Sequence, residues 1–175
     1  MATPDKKRRN QKGRVDRAPF LKLRWDIIDS ENFQRLSGIA VKLLVFLARQ
    51  YRGNNNGDLS ATWKMVKDTN TFASKSTLFK ALAELEHYGM IVKTRQGRRD
   101  GGGICNLYAL TWEAIDHCPA RRTNAHKLDV QPTVVPSNEW RTPVEVPFER
   151  QPKNSLPSTQ TVPTKYRKRT MQEKK

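Results

Sequence analysis

Few side chains of this 175-residue chain are spaced for acid–base or metal chemistry. The acids in the middle of the chain show no grouping of the kind that a two-metal nuclease site needs, where several carboxylates converge. His117 and Cys118 are adjacent, but the second pair that a zinc site requires is missing. Glycines 101–103 precede a predicted strand and carry no Lys-Ser/Thr, which argues against a phosphate-binding loop. We therefore expect no enzyme activity, no metal and no cofactor.

The cationic and small polar residues, unlike the acids and histidines, are grouped in a pattern suited to contacts with DNA. Four lie on the exposed first two turns of a predicted helix, where base edges would be within reach. Three lie in a predicted hairpin, where guanidinium groups would position phosphates, and two lie on the preceding helix near the DNA backbone. A solvated basic rim is the alternative interpretation. The four on the predicted helix are Lys75, Ser76, Thr77 and Lys80. The three in the predicted hairpin are Arg95, Arg98 and Arg99, and the two on the preceding helix are Lys64 and Lys67.

The helix that carries the first group is predicted to run from Ser74 to His87. Ser74 is suited to cap its start, and Gly89 is suited to the left-handed residue that ends it. Phe79 lies on the outward face and has two interpretations, contact with thymine methyl groups or packing against the preceding helix, of which we favour packing. Apolar residues recur every three or four positions and predict one buried stripe, formed by Leu78, Ala81, Leu82 and Leu85.

A β-hairpin is predicted directly after this helix. Residues 91–95 and 104–112 are rich in β-forming side chains and flank a connection that contains four glycines and the arginines 98 and 99. The pattern therefore indicates two strands joined by a long cationic tip.

Further helices are predicted upstream. Asp29 or Ser30 would cap a short helix after an extended segment at 20–28, and Ser37 would open a central helix. Leu59 is expected to form a very short strand beside the hairpin. Ser60 would then cap another helix within residues 61–70, with Trp63, Met65 and Val66 facing inward, and residues 71–73 would turn into Ser74. Residues 113–118 suggest a brief helical turn.

The run KSTLFKALAELEHYGMIVKTR, followed by a glycine-rich turn and NLYALTW, resembles the recognition helix and wing of winged helix-turn-helix proteins. The resemblance covers roughly residues 37–112 and implies an α+β fold with a three-helix core plus a β-hairpin wing. It also implies binding of double-stranded DNA. The run LSGIAVKLLVFLARQYRGNNNGDLSATW is similar to short helix-turn-helix proteins of bacteria and their mobile elements, such as plasmids and prophages.

The net charge of +16 is concentrated at the two ends of the chain. Residues 1–24 hold nine Lys and Arg against two Asp, and residues 120–175 hold twelve against five acids, so each end contributes +7. Such segments favour polyanions. We expect a disordered basic N-terminal arm at 1–19, one domain at 20–118, and a proline-rich, disordered basic C-terminal arm at 119–175.

The same composition bears on where the protein works. Two cysteines do not make a disulfide framework, no secretory signal is visible, and no apolar run approaches a membrane span. We therefore expect a cytoplasmic protein with no membrane partner, associated with the nucleoid if the host is bacterial.

The function that these residues favour is site-specific occupancy of duplex DNA, as a transcription regulator or as a replication or maintenance factor of a mobile element. Two alternatives stay open: a protein-interaction module with Trp140 and Phe148 as anchors, and nonspecific coating of nucleic acid by the basic arms. Those two aromatics either bind a protein partner or fold back on the domain. A homodimer is a further hypothesis, with residues 25–36 or 113–118 as its interface.

Overall fold

The computed structural model describes residues 20–69, 71–98, 104–119 and 127–149, and these ranges form an α+β structure. They contain five α-helices and a two-stranded antiparallel sheet. The helices are α1 (Trp25–Ile28), α2 (Glu31–Gln34), α3 (Gly38–Ala48), α4 (Trp63–Val66) and α5 (Lys75–His87), and the strands are β1 (Ile91–Arg95) and β2 (Leu107–Leu110). Two short 3₁₀ turns cover Lys67–Thr69 and Glu139–Arg141.

Helices α3 and α5 form the centre of the fold, and both begin where the sequence predicts. The Ser37 hydroxyl accepts from the amide of the third residue along, 3.2 Å away, and the Ser74 hydroxyl does the same at the start of α5. Each cap satisfies an amide that has no partner inside its helix. The predicted stripe of α5 is buried and joins the core with α3: Leu43, Leu44, Leu47, Leu78, Ala81, Leu82 and Leu85.

A buried carboxylate joins these two helices by hydrogen bonds. Glu84 on α5 is only 4% exposed, and it accepts hydrogen bonds from the Ser37 amide at 2.6 Å and from the Ser37 hydroxyl at 2.9 Å. A negative charge at the N-terminus of α3 is stabilised by the unpaired amides and the dipole there. The pair thus fixes the position of α5 relative to α3, and with it the direction in which the outer face of α5 points.

Strand β2 is buried on both faces, whereas β1 is half-buried at Val92, Lys93 and Arg95. Ile91 pairs with Leu110 and Val92 with Ala109, and the register shifts between Lys93 and Arg95. The side chains of Ile91 and Leu110 belong to the helical core, whereas Leu107 belongs to a second, smaller apolar cluster. The second strand is shorter than the predicted 104–112. The predicted third strand is confirmed as a single bridge, in which Leu59 pairs with Tyr108.

Residues 127–149, named the C-terminal segment below, pack on the fold, although the sequence indicated a domain end at 118 and a disordered tail from 119. Leu128 is buried beside Leu107 and Cys118 in the second cluster, and Trp140 is buried in the main core. The folded part therefore extends to the end of the described segment, because apolar contacts and hydrogen bonds join that segment to the domain before it. The predicted N-terminal arm, 1–19, and the parts 120–126 and 150–175 of the predicted C-terminal arm lie outside the described ranges.

One buried asparagine holds the later half of this segment. Asn32 on α2 donates to the carbonyls of Trp140 and Thr142 at 3.1 and 2.7 Å, and it accepts from the amide of Val144 at 2.9 Å. Its side chain is 1% exposed. The same stretch of chain runs over Gly89, where a Cβ atom would lie 2.9 Å from the carbonyl carbon of Glu139.

Four local predictions are wrong. Thr62, not Ser60, precedes α4, and it makes no side-chain cap, so this helix is one turn long before it tightens to 3₁₀. Met65 is 43% exposed rather than inward. Residues 25–28 are helical instead of extended, and residues 113–118 form no helix. In each case tertiary packing overrides a short local signal.

Candidate nucleic-acid interface

The face of α5 that points away from the core carries the polar and cationic residues that the sequence singled out. Lys75 and Ser76 are exposed, Thr77 and Lys80 are half-buried, and Phe79 is 58% exposed. The hydroxyls of Ser76 and Thr77 lie 2.8 and 3.0 Å from the Ser74 hydroxyl. The first turns of α5 therefore present donors and positive charge on an outward surface.

The start of α5 is electrostatically positive beyond its side-chain charge. Its first turn contains no acid, and Lys75 is the first helical residue. A lysine there is opposed by the helix dipole, at a cost of about 0.3–1 kcal/mol. The unpaired amides of a helix N-terminus and a neighbouring ammonium group together attract phosphate oxygens. This arrangement is unfavourable for an isolated helix and favourable for one that meets an anion.

A groove of ≈ 290 Å³ lies between α5 and the hairpin. Side chains from three places line it: the start of α4, Phe79 and Leu82 of α5, and the base of the hairpin connection. The groove therefore brings Phe79 of α5 and Arg98 of the hairpin together around one concavity, and the predicted α5 contact residues lie outside its lining. Its principal lining residues are Thr62, Trp63, Phe79, Leu82, Arg98 and Ile104.

The hairpin beyond the strands is braced by its own hydrogen bonds. The Arg98 amide donates to the Ile104 carbonyl at 2.9 Å, and the Gly97 amide donates to the Asn106 side chain at 2.6 Å. A Cβ atom at Gly97 would lie 2.8 Å from the Ile104 carbonyl oxygen, so only glycine allows this approach. The brace holds Arg98, whose side chain is exposed, at the edge of the groove.

Four predicted contact residues remain, on the hairpin and on or just after α4: Arg95, Arg99, Lys64 and Lys67. The Arg95 guanidinium donates to the Cys105 carbonyl at 3.1 Å, so it helps to hold the end of β1 to the chain just before β2 as well as carrying charge. Lys64 on α4 and Lys67 in the following 3₁₀ turn are exposed, but neither lines the groove. Arg99 lies outside the described residues.

Sequence reasoning missed the apolar part of this surface. Phe79, for which packing against the preceding helix was favoured, is 58% exposed and lines the groove together with Trp63 of α4. Ile104, 46% exposed, and the half-buried Trp63 lie beside the same groove. The available signal was the spacing of Phe79 from Ser76 and Ala83, which places all three on the outer face of α5.

The two aromatics of the C-terminal segment fold back on the domain, which is one of the two alternatives that the sequence left open. Trp140 is 4% exposed, and Phe148 is half-buried with its ring centroid 5.5 Å from that of His87. The Phe148 amide donates to the Tyr88 hydroxyl at 3.1 Å. Both side chains thus have partners inside the fold, and a role as anchors would require this segment to detach.

Metal-binding clusters and membrane-spanning helices are absent from residues 20–69, 71–98, 104–119 and 127–149. No three His, Cys, Asp or Glu side chains in those ranges are close enough to hold a metal ion. Within the same ranges, none of the helices has the length and apolar character to pass through a lipid bilayer.

Comparison of the chain with models of protein families, with curated proteins and with solved structures gave no match. A functional interpretation therefore depends on the residues of the groove and their geometry.

Proposed function

We propose that this protein binds duplex DNA as a winged helix-turn-helix protein, with α5 in the major groove and the hairpin as the wing. One observation carries the proposal: Phe79, which lies on the same outer face of α5 as Ser76, and Arg98 of the hairpin line one groove. A ligand seated along α5 would therefore meet both elements at once.

The dimensions agree with this assignment. Helix α5 has 13 residues and is therefore about 20 Å long, with a diameter of about 10–12 Å. The major groove of B-DNA is about 12 Å wide, so one α-helix fits in it. Lys75 and Ser76 at the start of α5 would lie nearest to the base edges and phosphates, while Arg98 would position the duplex through its backbone.

The order of elements supports the same proposal. Helix α4, the connection 71–74 and helix α5 follow each other as the two helices of a helix-turn-helix would. The bridge between Leu59 and Tyr108 adds a third short strand beside the hairpin, as the resemblance to winged helices implies. In this proposal the protein has no catalytic role and acts by occupying its site, as a transcription regulator or as a replication or maintenance factor of a mobile element. The homodimer stays a prediction.

Selection of bound fragments from random duplex DNA tests the proposal. We expect the full chain to enrich one sequence motif, because side chains on α5 would read base edges. The variant Ser76→Ala/Lys80→Ala should lose that enrichment. Lys42→Ala, which removes an exposed lysine from α3, should retain it. Absence of any motif with a well-folded wild-type chain would refute the proposal.

Nonspecific coating by the basic ends is the second candidate, because Lys and Arg are concentrated there. Removing residues 1–19 and 150–175 while keeping the C-terminal segment separates the two functions. If α5 reads DNA, the shortened chain still prefers the selected duplex over random competitor and binds with a reduced dependence on salt. If the ends alone bind, that preference is absent.

A further inference from the structure

Phe79 is the unusual residue of the proposed DNA-binding face. Its side chain is 58% exposed in the middle of a helix face that is otherwise polar, cationic or small. Ser76 and Ala83 lie one turn before and one turn after it, and both are too small to shield an aromatic ring. Phe79 therefore stands out from α5 as an apolar side chain among polar ones.

The groove supports the ring from one side. Phe79, Leu82 and Ile104 line it together, so part of the ring faces other apolar side chains while the rest faces solvent. Phe79 is therefore an α5 side chain that is both largely exposed and part of the groove.

The chemistry of the major groove indicates what such a ring would contact. Base pairs present hydrogen-bond donors and acceptors there, and the C5-methyl group of thymine is the apolar feature. Lys75 and Ser76, one turn earlier, supply the charge and the hydroxyl that polar groups require. We propose that Phe79 recognises thymine through its methyl group, so that the selected DNA site carries an A·T pair beneath the middle of α5. This inference depends on the proposed duplex-binding function.

The expected effect is small and measurable. Burying one methyl group is worth about 0.8 kcal/mol, which corresponds to roughly fourfold in affinity. Replacing thymine by deoxyuridine removes that methyl group and leaves the base pair intact. A thymine read by Phe79 should therefore show about a fourfold loss when it is replaced, and a thymine elsewhere in the site should show none.

The experiment uses the full chain and the duplex obtained by selection, with each thymine replaced in turn by deoxyuridine. Fluorescence anisotropy gives the dissociation constants for the wild type and for Phe79→Ala. We expect one or two replacements to weaken the wild type about fourfold and to leave Phe79→Ala unaffected. Phe20→Ala is the matched control, because Phe20 is 79% exposed and does not line the groove. It should keep the wild-type response.

The outcomes separate the inference from the function on which it depends. A wild type that prefers one duplex but tolerates every deoxyuridine overturns the inference and leaves duplex binding in place. A response that persists in Phe79→Ala also overturns it, because another residue then reads the methyl group. Tighter binding to the single strand, lost in Phe79→Ala, would mean that the ring stacks on unpaired bases and would overturn it as well. Absence of any preferred duplex refutes the proposed function itself.

Discussion

Replacing Asn32 by alanine removes the three hydrogen bonds that hold residues 140–144 on α2. They measure 2.7, 2.9 and 3.1 Å, and the side chain is 1% exposed. Each is worth about 0.5–1.5 kcal/mol net, and a buried partner left unpaired costs about 1–3 kcal/mol. Since Thr142 is exposed and Val144 is half-buried, water can satisfy part of the loss. We expect Asn32→Ala to lower the free energy of unfolding by about 2–4 kcal/mol.

Urea unfolding followed by circular dichroism measures this loss. Gln34→Ala is the control on the same helix: its exposed side chain makes a single hydrogen bond, to the Ile28 carbonyl at 2.8 Å, and it should cost less than about 1 kcal/mol. Trp140→Ala should cost about 3–5 kcal/mol. The double variant with Asn32→Ala should cost less than the sum, because both changes release the same segment. Equal losses for Asn32 and Gln34, or strict additivity with Trp140, would refute this docking of the C-terminal segment.

Two further predictions test the same region and its neighbours. Gly89→Ala should destabilise the protein by about 1–3 kcal/mol, because the residue has φ +63° and a Cβ atom there would meet Glu139. Gly38→Ala is the control, because the space around Gly38 is open, and it should cost less than about 1 kcal/mol. Thermal unfolding compares the two variants. Cys118 should react with iodoacetamide more slowly than the less buried Cys105, because burial raises the pKa of the Cys118 thiol and keeps it protonated to higher pH. Peptide mass spectrometry at pH 7 and pH 9 measures the labelling of both cysteines. Faster labelling of Cys118 would contradict its burial.

The central helices could be predicted because their signals are local. Ser74, the apolar stripe and Gly89 lie within sixteen residues of each other, and the structure has α5 between that cap and that glycine. Ser37 marks α3 in the same way. Where the local signal is only a few residues long, as at α4, packing shifts the start of the helix, and the prediction from Ser60 failed.

The C-terminal segment could not be predicted, because its contacts join residues far apart in the chain. Asn32 and Trp140 are 108 positions apart, and proline-rich polar sequence is also typical of disorder. One clue was present in β2: Leu107 and Ala109 alternate with Tyr108 and Leu110, so both faces of the strand are apolar. That pattern is typical of a strand covered on both sides.

The candidate site could be predicted in its charges but not in its shape. Lys75, Ser76 and Arg98 are visible as polar and cationic positions in the sequence. The groove between α5 and the hairpin depends on how the two elements pack, which residue spacing along one helix does not determine. The exposure of Phe79 beside that groove depends on the same packing.

The salt dependence of DNA binding tests the central claim most directly, because it asks whether α5 and the hairpin contact one duplex. Binding to the selected duplex is measured from 50 to 300 mM salt for the wild type, Lys75→Ala, Arg98→Ala and the double variant. Each lost phosphate contact should reduce the slope of log K against log salt by about 0.9, and the double variant by about 1.8. Lys42→Ala should leave the slope unchanged. Unchanged slopes for both Lys75 and Arg98 variants, or an equal reduction for Lys42, would contradict a shared DNA surface.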